Sequence, residues 1–216
     1  MSRPNFYHWI ASDPAAIAAL QTVTVAPFNM VLNGTLSSFT APAISSARTA
    51  KLPGLSRTVT LTSASNLSAV NFAITGLLNG TLVSEVIAGP NANTVQTTQI
   101  FQQILVITAS GTTGASTVSA GTGQTGQTNY FGVDYNRSTT PITSMNIHVT
   151  GTITYEVHGV TGDPTTTESI DNVIGAPSAV SQPLVLEGSP SYYYLKITAS
   201  TGAATLDVGI TQQGLT

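Results

Sequence analysis

Ile147-His148-Val149-Thr150-Gly151-Thr152-Ile153-Thr154-Tyr155-Glu156-Val157 alternates apolar with polar residues, and this stretch decides the fold class. Successive side chains of an extended chain point to opposite faces. Ile147, Val149, Ile153, Tyr155 and Val157 therefore share one face, and the polar residues take the other. Gly151 keeps the apolar parity without a side chain and marks a bend or bulge. Working outward, Asn33-Gly34 and Asn79-Gly80 each sit inside a Leu-Asn-Gly-Thr-Leu run, at 32–36 and 78–82. Asn-Gly between apolar runs is a strong hairpin signal, because both turn residues must accept positive φ. The pattern predicts strands near 23–32, 35–40, 57–63, 69–76, 81–87, 99–109 and 116–120. It predicts others near 129–134, 143–158, 183–187, 191–199 and 203–211.

The first 22 residues read differently. Phe6, Tyr7 and Trp9 cluster with His8 in an arm. Pro14 to about Gln21 reads as a short Ala-rich helix, with Asp13 or Ser12 as N-cap and Pro14 at its first position. A helix of this length needs a surface to dock on.

Two blocks of sequence occur twice in the same order. Asn71-Phe72-Ala73-Ile74-Thr75-Gly76 is echoed by Asn146-Ile147-His148-Val149-Thr150-Gly151. Val106-Ile107-Thr108-Ala109-Ser110 is echoed by Lys196-Ile197-Thr198-Ala199-Ser200. The spacing between blocks differs, which fits a duplicated domain and not a solenoid of fixed period. The expected fold is all-β, with two tandem β-sandwich domains, jelly-roll-like or immunoglobulin-like, at 23–126 and 127–216, after an N-terminal arm and helix at 1–22. The Gly-rich run 111–127 closes the first domain, with a linker near 122–128.

Composition narrows the function. Of 216 residues only 7% are charged, with a formal net charge of −3, against roughly 25% charged in an average soluble domain. Thr, Ser, Asn, Gln and Gly fill the gap. Such a surface packs against neighbours without desolvating charges. Six Lys and Arg in all make no basic footprint for nucleic acid and no polybasic membrane anchor. The chain has no Cys, so disulfides and thiolate metal sites are excluded. No apolar run is long enough to span a membrane. The first residues lack the apolar core of a secretory signal, so synthesis in a cytoplasm is expected.

Motifs for chemistry are sparse. Gly121-Thr122-Gly123-Gln124-Thr125-Gly126 matches G-x-G-x-x-G but precedes a strand, whereas dinucleotide binding needs a helix N-terminus there. The expected cofactor content is none. His148 and His158, on one straight strand, would stand about 33 Å apart. Glu156, His158 and Asp163 form a weak candidate cation site; the alternative is a solvated polar face. The nine acidic residues are scattered singly, and no Gly-x-Ser-x-Gly elbow is present. The expectation is a non-enzyme with no catalytic, cofactor or metal residues. In Tyr192-Tyr193-Tyr194, alternation sends Tyr193 to one face and its neighbours to the other. This run is either cross-strand packing or a surface for a sugar or protein.

The stretch from Arg57 to Gly76, continuing through Glu85-Val86-Ile87-Ala88-Gly89-Pro90-Asn91 to the segment 107–123, resembles a recurring module in structural proteins of tailed double-stranded DNA bacteriophages. Residues 129–216 resemble a diverged copy. The resemblance implies a non-enzymatic virion structural protein, made in the host cytoplasm. The leading form is a capsid decoration (cement) protein binding the major capsid protein as a homo-oligomer. The alternatives are a tail component (adaptor, tube or fibre-associated) bound to tail proteins, or a receptor- or carbohydrate-binding β module using Tyr193 and the loops at 161–177. Buried aromatics dominate interface energetics, so Phe6, Tyr7, Trp9 and Tyr193 are the expected partner-binding residues.

Overall fold

The computed structural model describes residues 5–22, 26–39, 48–51, 55–135, 142–164, 169–187 and 190–213. Among them the protein is all-β, with no helix. The strands are β1 (Asn5–Trp9), β2 (Ala18–Thr22), β3 (Phe28–Asn29), β4 (Ser37–Phe39), β5 (Arg48–Lys51), β6 (Leu55–Thr62), β7 (Asn71–Leu78), β8 (Thr81–Ala88) and β9 (Thr94–Phe101). They continue with β10 (Gln103–Ala109), β11 (Thr117–Thr128), β12 (Phe131–Gly132), β13 (Ile142–Thr150), β14 (Ile153–Thr161), β15 (Ile170–Val173), β16 (Gln182–Glu187), β17 (Tyr192–Ser200) and β18 (Thr205–Gln213). The chain forms two compact units. One comprises residues 12–123, the other 1–11 with 124–216.

In the unit of residues 12–123, one sheet runs β4-β5-β10-β7-β8, with β3 also on β10. The other strands, β2, β11, β6 and β9, pair among themselves. Val59 and Leu61 of β6, Phe72 and Ile74 of β7, Ile104 and Ile107 of β10 and Val118 and Ala120 of β11 meet in one buried core. The Asn79-Gly80 hairpin forms as expected. Asn79 has φ 51° and Gly80 φ 80°, and Leu78 faces Thr81 across the turn.

The helix expected at Pro14–Gln21 is replaced by a turn and β2. Asp13 does accept a bond from Ala15 N at 2.8 Å, as an N-cap would. Beyond this turn, however, the backbone bonds remote residues and not its own next turn. Ile17 N bonds Ala120 O at 3.0 Å, and Leu36 N bonds Ala16 O at 2.8 Å. Ile17 and Ala18 are fully buried. Burial of this apolar pair outweighs an isolated helical turn, which is marginal on its own.

The Gly-rich segment is likewise no linker, because 117–128 is the single strand β11. A β-carbon on Gly121 would collide with the Asp13 carbonyl, and one on Gly123 with Thr58 Oγ1. These glycines permit close backbone approach. Asn33-Gly34 makes no hairpin either; Gly34 lies against the backbone of Ala15 and Ala16. The strand expected at 99–109 is two, β9 and β10, interrupted at Gln102. Residues 170–173, expected as loop, form β15. Of the strand expected at 23–32, residues 23–25 lie outside the described residues.

In the unit of residues 1–11 and 124–216, one sheet runs β1-β18-β13-β16. The other runs β15-β14-β17, with β12 and the end of β11 also on β17. The alternation from Ile147 to Val157 is divided at Gly151, φ 82°, between β13 in the first sheet and β14 in the second. Gly151 lies against Ala204, where a β-carbon would stand 3.2 Å from Ala204 Cα.

The repeated blocks do not occupy equivalent places. β7 and β10 are paired neighbours, with Ile74 opposite Ile107. Their sequence counterparts β13 and β17 lie in different sheets. What the units share is a nested pairing. β5 and β6 pair with β10 and β9; β13 and β14 pair with β18 and β17. The sequence match therefore reflects common strand-and-turn composition, not matching strands.

Candidate functional site

Two polar constellations stand out, both in the unit of residues 1–11 and 124–216. The first surrounds His158 on β14. Strand register places His158 opposite Tyr194 of β17 on one side and Val173 of β15 on the other. His158 is 4% exposed. Its Nδ1 lies 2.9 Å from Asp171 Oδ1, and its Nε2 lies 3.1 Å from Glu156 Oε2. Tyr194 Oη also lies 3.1 Å from Nδ1, so polar partners flank both ring nitrogens. Tyr194 Oη donates to Asp171 Oδ2 at 2.6 Å. Its ring stacks on the imidazole at 4.7 Å, and Tyr130 meets it edge-on at 5.1 Å. Burial, the bond to Asp171 and the nearby negative charge push the Tyr194 hydroxyl well above the usual phenol range. Both imidazole nitrogens face acids, and these contacts tie β14 to β15 and β17. The grouping of Glu156, His158 and Asp163 as cation ligands is not formed. Glu156 and Asp171 lie against opposite ring nitrogens, and among the described residues no three His, Asp or Glu side chains could hold a metal ion.

The second constellation lies on the outer face of the sheet β1-β18-β13-β16. Register sets His8, Asp207 and His148 side by side on three adjacent strands. Two residues along, Phe6, Gly209, Asn146 and Pro183 form the next row on the same face. His8 Nδ1 contacts Asp207 Oδ1, and both side chains are more than half exposed. Ser181 Oγ lies 3.4 Å from His148 Nδ1. These residues line an open groove of about 590 Å³.

The sequence-predicted residues are placed unevenly. Trp9 and Tyr193 are each 1% exposed and belong to the core. Tyr7 is half-buried, and burial raises its hydroxyl pKa. Phe6 alone presents its ring, at 77% exposed. Gly121–Gly126 lies within a strand and has no helix terminus behind it. His148 and His158 occupy different strands, β13 and β14. Sequence reasoning did not find Asp171, Tyr194 or Asp207 as partners. Asp171 joins the cluster only because β15 pairs with β14, and the period of its short segment gave no strand signal.

Arg57 is the buried charge of the other unit. It is fully buried, and its Nε donates to Gly123 O at 3.1 Å. Burial pulls its pKa down to about 10, so it remains a cation at neutral pH and ties β6 to β11.

Among the described residues the fold defines the class: an all-β protein of several antiparallel sheets. No protein-family model matches the chain, and no curated protein matches it.

Proposed function

We propose that this chain is a non-enzymatic virion structural protein, foremost a capsid decoration protein. It would bind the head lattice through uncharged sheet surfaces and act as a homo-oligomer. Each unit is read as a β-sandwich with jelly-roll-like connectivity. The core drawn from β6, β7, β10 and β11 supports this reading, as do the nested strand pairs.

The observation that carries the proposal is the β7–β8 hairpin. Phe72, Ile74 and Gly76 turn inward, so Ala73, Thr75 and Leu77 face outward beside Val86, Ser84 and Leu82 of β8. Leu82 and Val86 are each 64% exposed. This surface carries no charged side chain. Glu85, the acid of β8, turns the other way and bonds β9. An apolar strip on an edge strand is a liability that single proteins blunt with charge. Leaving it uncharged fits a strand that is covered in an assembly, where symmetry multiplies small contacts.

The test is to count copies in purified particles and to compare Leu82→Lys and Val86→Lys with the unaltered chain. Copy number on the scale of the capsid subunits, lost in both variants with folding intact, is the expected result. A handful of copies per particle would move the protein to the tail. Absence from particles would end the proposal.

A further inference from the structure

We propose that the groove on the outer face of β1-β18-β13 binds a neutral saccharide. The inference uses surfaces of the second unit and stands apart from the assembly reading, which rests on the β7–β8 hairpin.

The argument begins with Phe6. It is the most exposed of the large apolar side chains described, at 77%, yet it stands on a paired strand. Its backbone is held in β1, opposite Gly209. A β-carbon on Gly209 would stand 3.3 Å from Phe6 Cε1. The missing side chain at Gly209 thus leaves room for the Cδ1–Cε1 edge of the ring beside β18, while most of the ring lies in water. An exposed aromatic carried on a paired strand is a platform for the C–H face of a pyranose ring, which is apolar where the hydroxyls point outward. The same carbon-to-π contact makes aromatics effective in adaptable polar interfaces.

Hydroxyls at the sugar's rim need donors and acceptors at fixed positions, and the groove supplies both. Asp207 brings a carboxylate that accepts only, Asn146 an amide that donates and accepts, and His8 and His148 ring nitrogens. All four are exposed and stand on adjacent strands of one sheet, so their spacing is set by the strand ladder and not by loops. Rigid elements of this kind position binding groups best. The groove, about 590 Å³, falls within the range of small-molecule sites. Among the described residues its lining contains no Lys or Arg, and the Asp207 carboxylate opposes phosphate, sulfate or uronate. The ligand is therefore a neutral hexose chain rather than an acidic one.

The experiment uses the full chain on an array of immobilised gluco-, manno- and galacto-oligosaccharides beside sulfated and uronate-bearing ones, followed by titration with the free oligosaccharide. Binding to a neutral chain is expected. It should weaken at least tenfold in Phe6→Ala and in Asp207→Ala, and recover in Phe6→Trp, while the thermal midpoint of Phe6→Ala stays within a degree or two of the unaltered protein. Silence across the neutral chains, a preference for the acidic ones, or binding indifferent to both alanine variants would overturn the assignment. Loss of the β7–β8 surface in Val86→Lys should leave sugar binding unchanged, which separates the two proposals.

Discussion

The Tyr194 hydroxyl donates to Asp171 Oδ2 at 2.6 Å while its ring stacks on His158 at 4.7 Å. One side chain thus holds both the Asp171 carboxylate and the His158 ring. Tyr194→Phe keeps the stack and removes the hydroxyl. Asp171 then loses one charge-assisted bond, at a cost of about 1.5–3 kcal/mol. The variant also changes the alkaline limb. Tyr194 in the folded protein titrates above the ordinary tyrosine value of 10.0, so above that pH the unfolded chain gives up this proton first. The folded state then binds more protons than the unfolded one, and stability falls as pH rises. Urea denaturation from pH 8 to 11 should show a steeper decline in the unaltered protein than in Tyr194→Phe. Parallel curves would mean that the hydroxyl is not held protonated by this environment.

Trp9 and Phe6 lie three residues apart on one strand and face opposite ways. Trp9 is 1% exposed and Phe6 77%. Trp9→Ala should cost about 3–5 kcal/mol, and Phe6→Ala should stay within about 0.5 kcal/mol, as exposed positions do. Equal effects in chemical denaturation would show that β1 is not part of this sheet. Deleting residues 1–21 should therefore damage folding. It removes β1 from one unit and Ile17 and Ala18 from the core of the other.

Gly121, in the Gly-rich run 111–127 beside the linker expected near 122–128, offers a comparison of flexible segment and strand. In a flexible linker, Gly→Ala is neutral or slightly stabilising. Here the new β-carbon would run into the Asp13 carbonyl. Backbone has to move, so Gly121→Ala should destabilise by about 1–3 kcal/mol, the usual range for overpacking. A thermal midpoint equal to that of the unaltered chain would restore the linker reading.

These cases also show what was readable from sequence. Strict alternation from Ile147 to Val157 marked extended chain and the bend at Gly151, because side-chain parity is a local property, but the one strand expected at 143–158 is two, β13 and β14, in different sheets. Asn79-Gly80 was readable for the same reason, since its φ demand is local. Asn33-Gly34 carries the same dipeptide and forms no hairpin. Its surroundings are decided by contact with residues 15–16, which no local pattern records. Residues 14–21 failed the same way: helix propensity is local, but the acceptors that captured Ile17 and the core that buried Ala18 are remote. At the candidate sites, single residues such as His8, His148 and Glu156 drew notice. The grouping of His8 with Asp207, or of His158 with Asp171, depends on strand order, which is long-range information.

Glu85 closes the open side between β8 and β9. Register between β6 and β9 jumps from Thr58–Ile100 to Thr60–Gln96, so residues 97–99 bulge. A bulge leaves amides without ladder partners. Thr97 Oγ1 accepts Val59 N at 2.9 Å. Glu85 accepts Thr98 N at 3.1 Å, Thr98 Oγ1 at 2.9 Å and Gln99 N at 2.8 Å. One carboxylate thus satisfies three donors on an edge strand. In Glu85→Ala those amides turn to water or to another chain, because an unprotected edge templates pairing. Hydrogen exchange at Thr98 and Gln99 should accelerate at least tenfold, with more self-association at high concentration. Glu85→Gln, which keeps one acceptor oxygen, should fall between. Amides at 98 and 99 exchanging as slowly in Glu85→Ala as in the unaltered protein would show that the bulge is held by the β6 ladder alone.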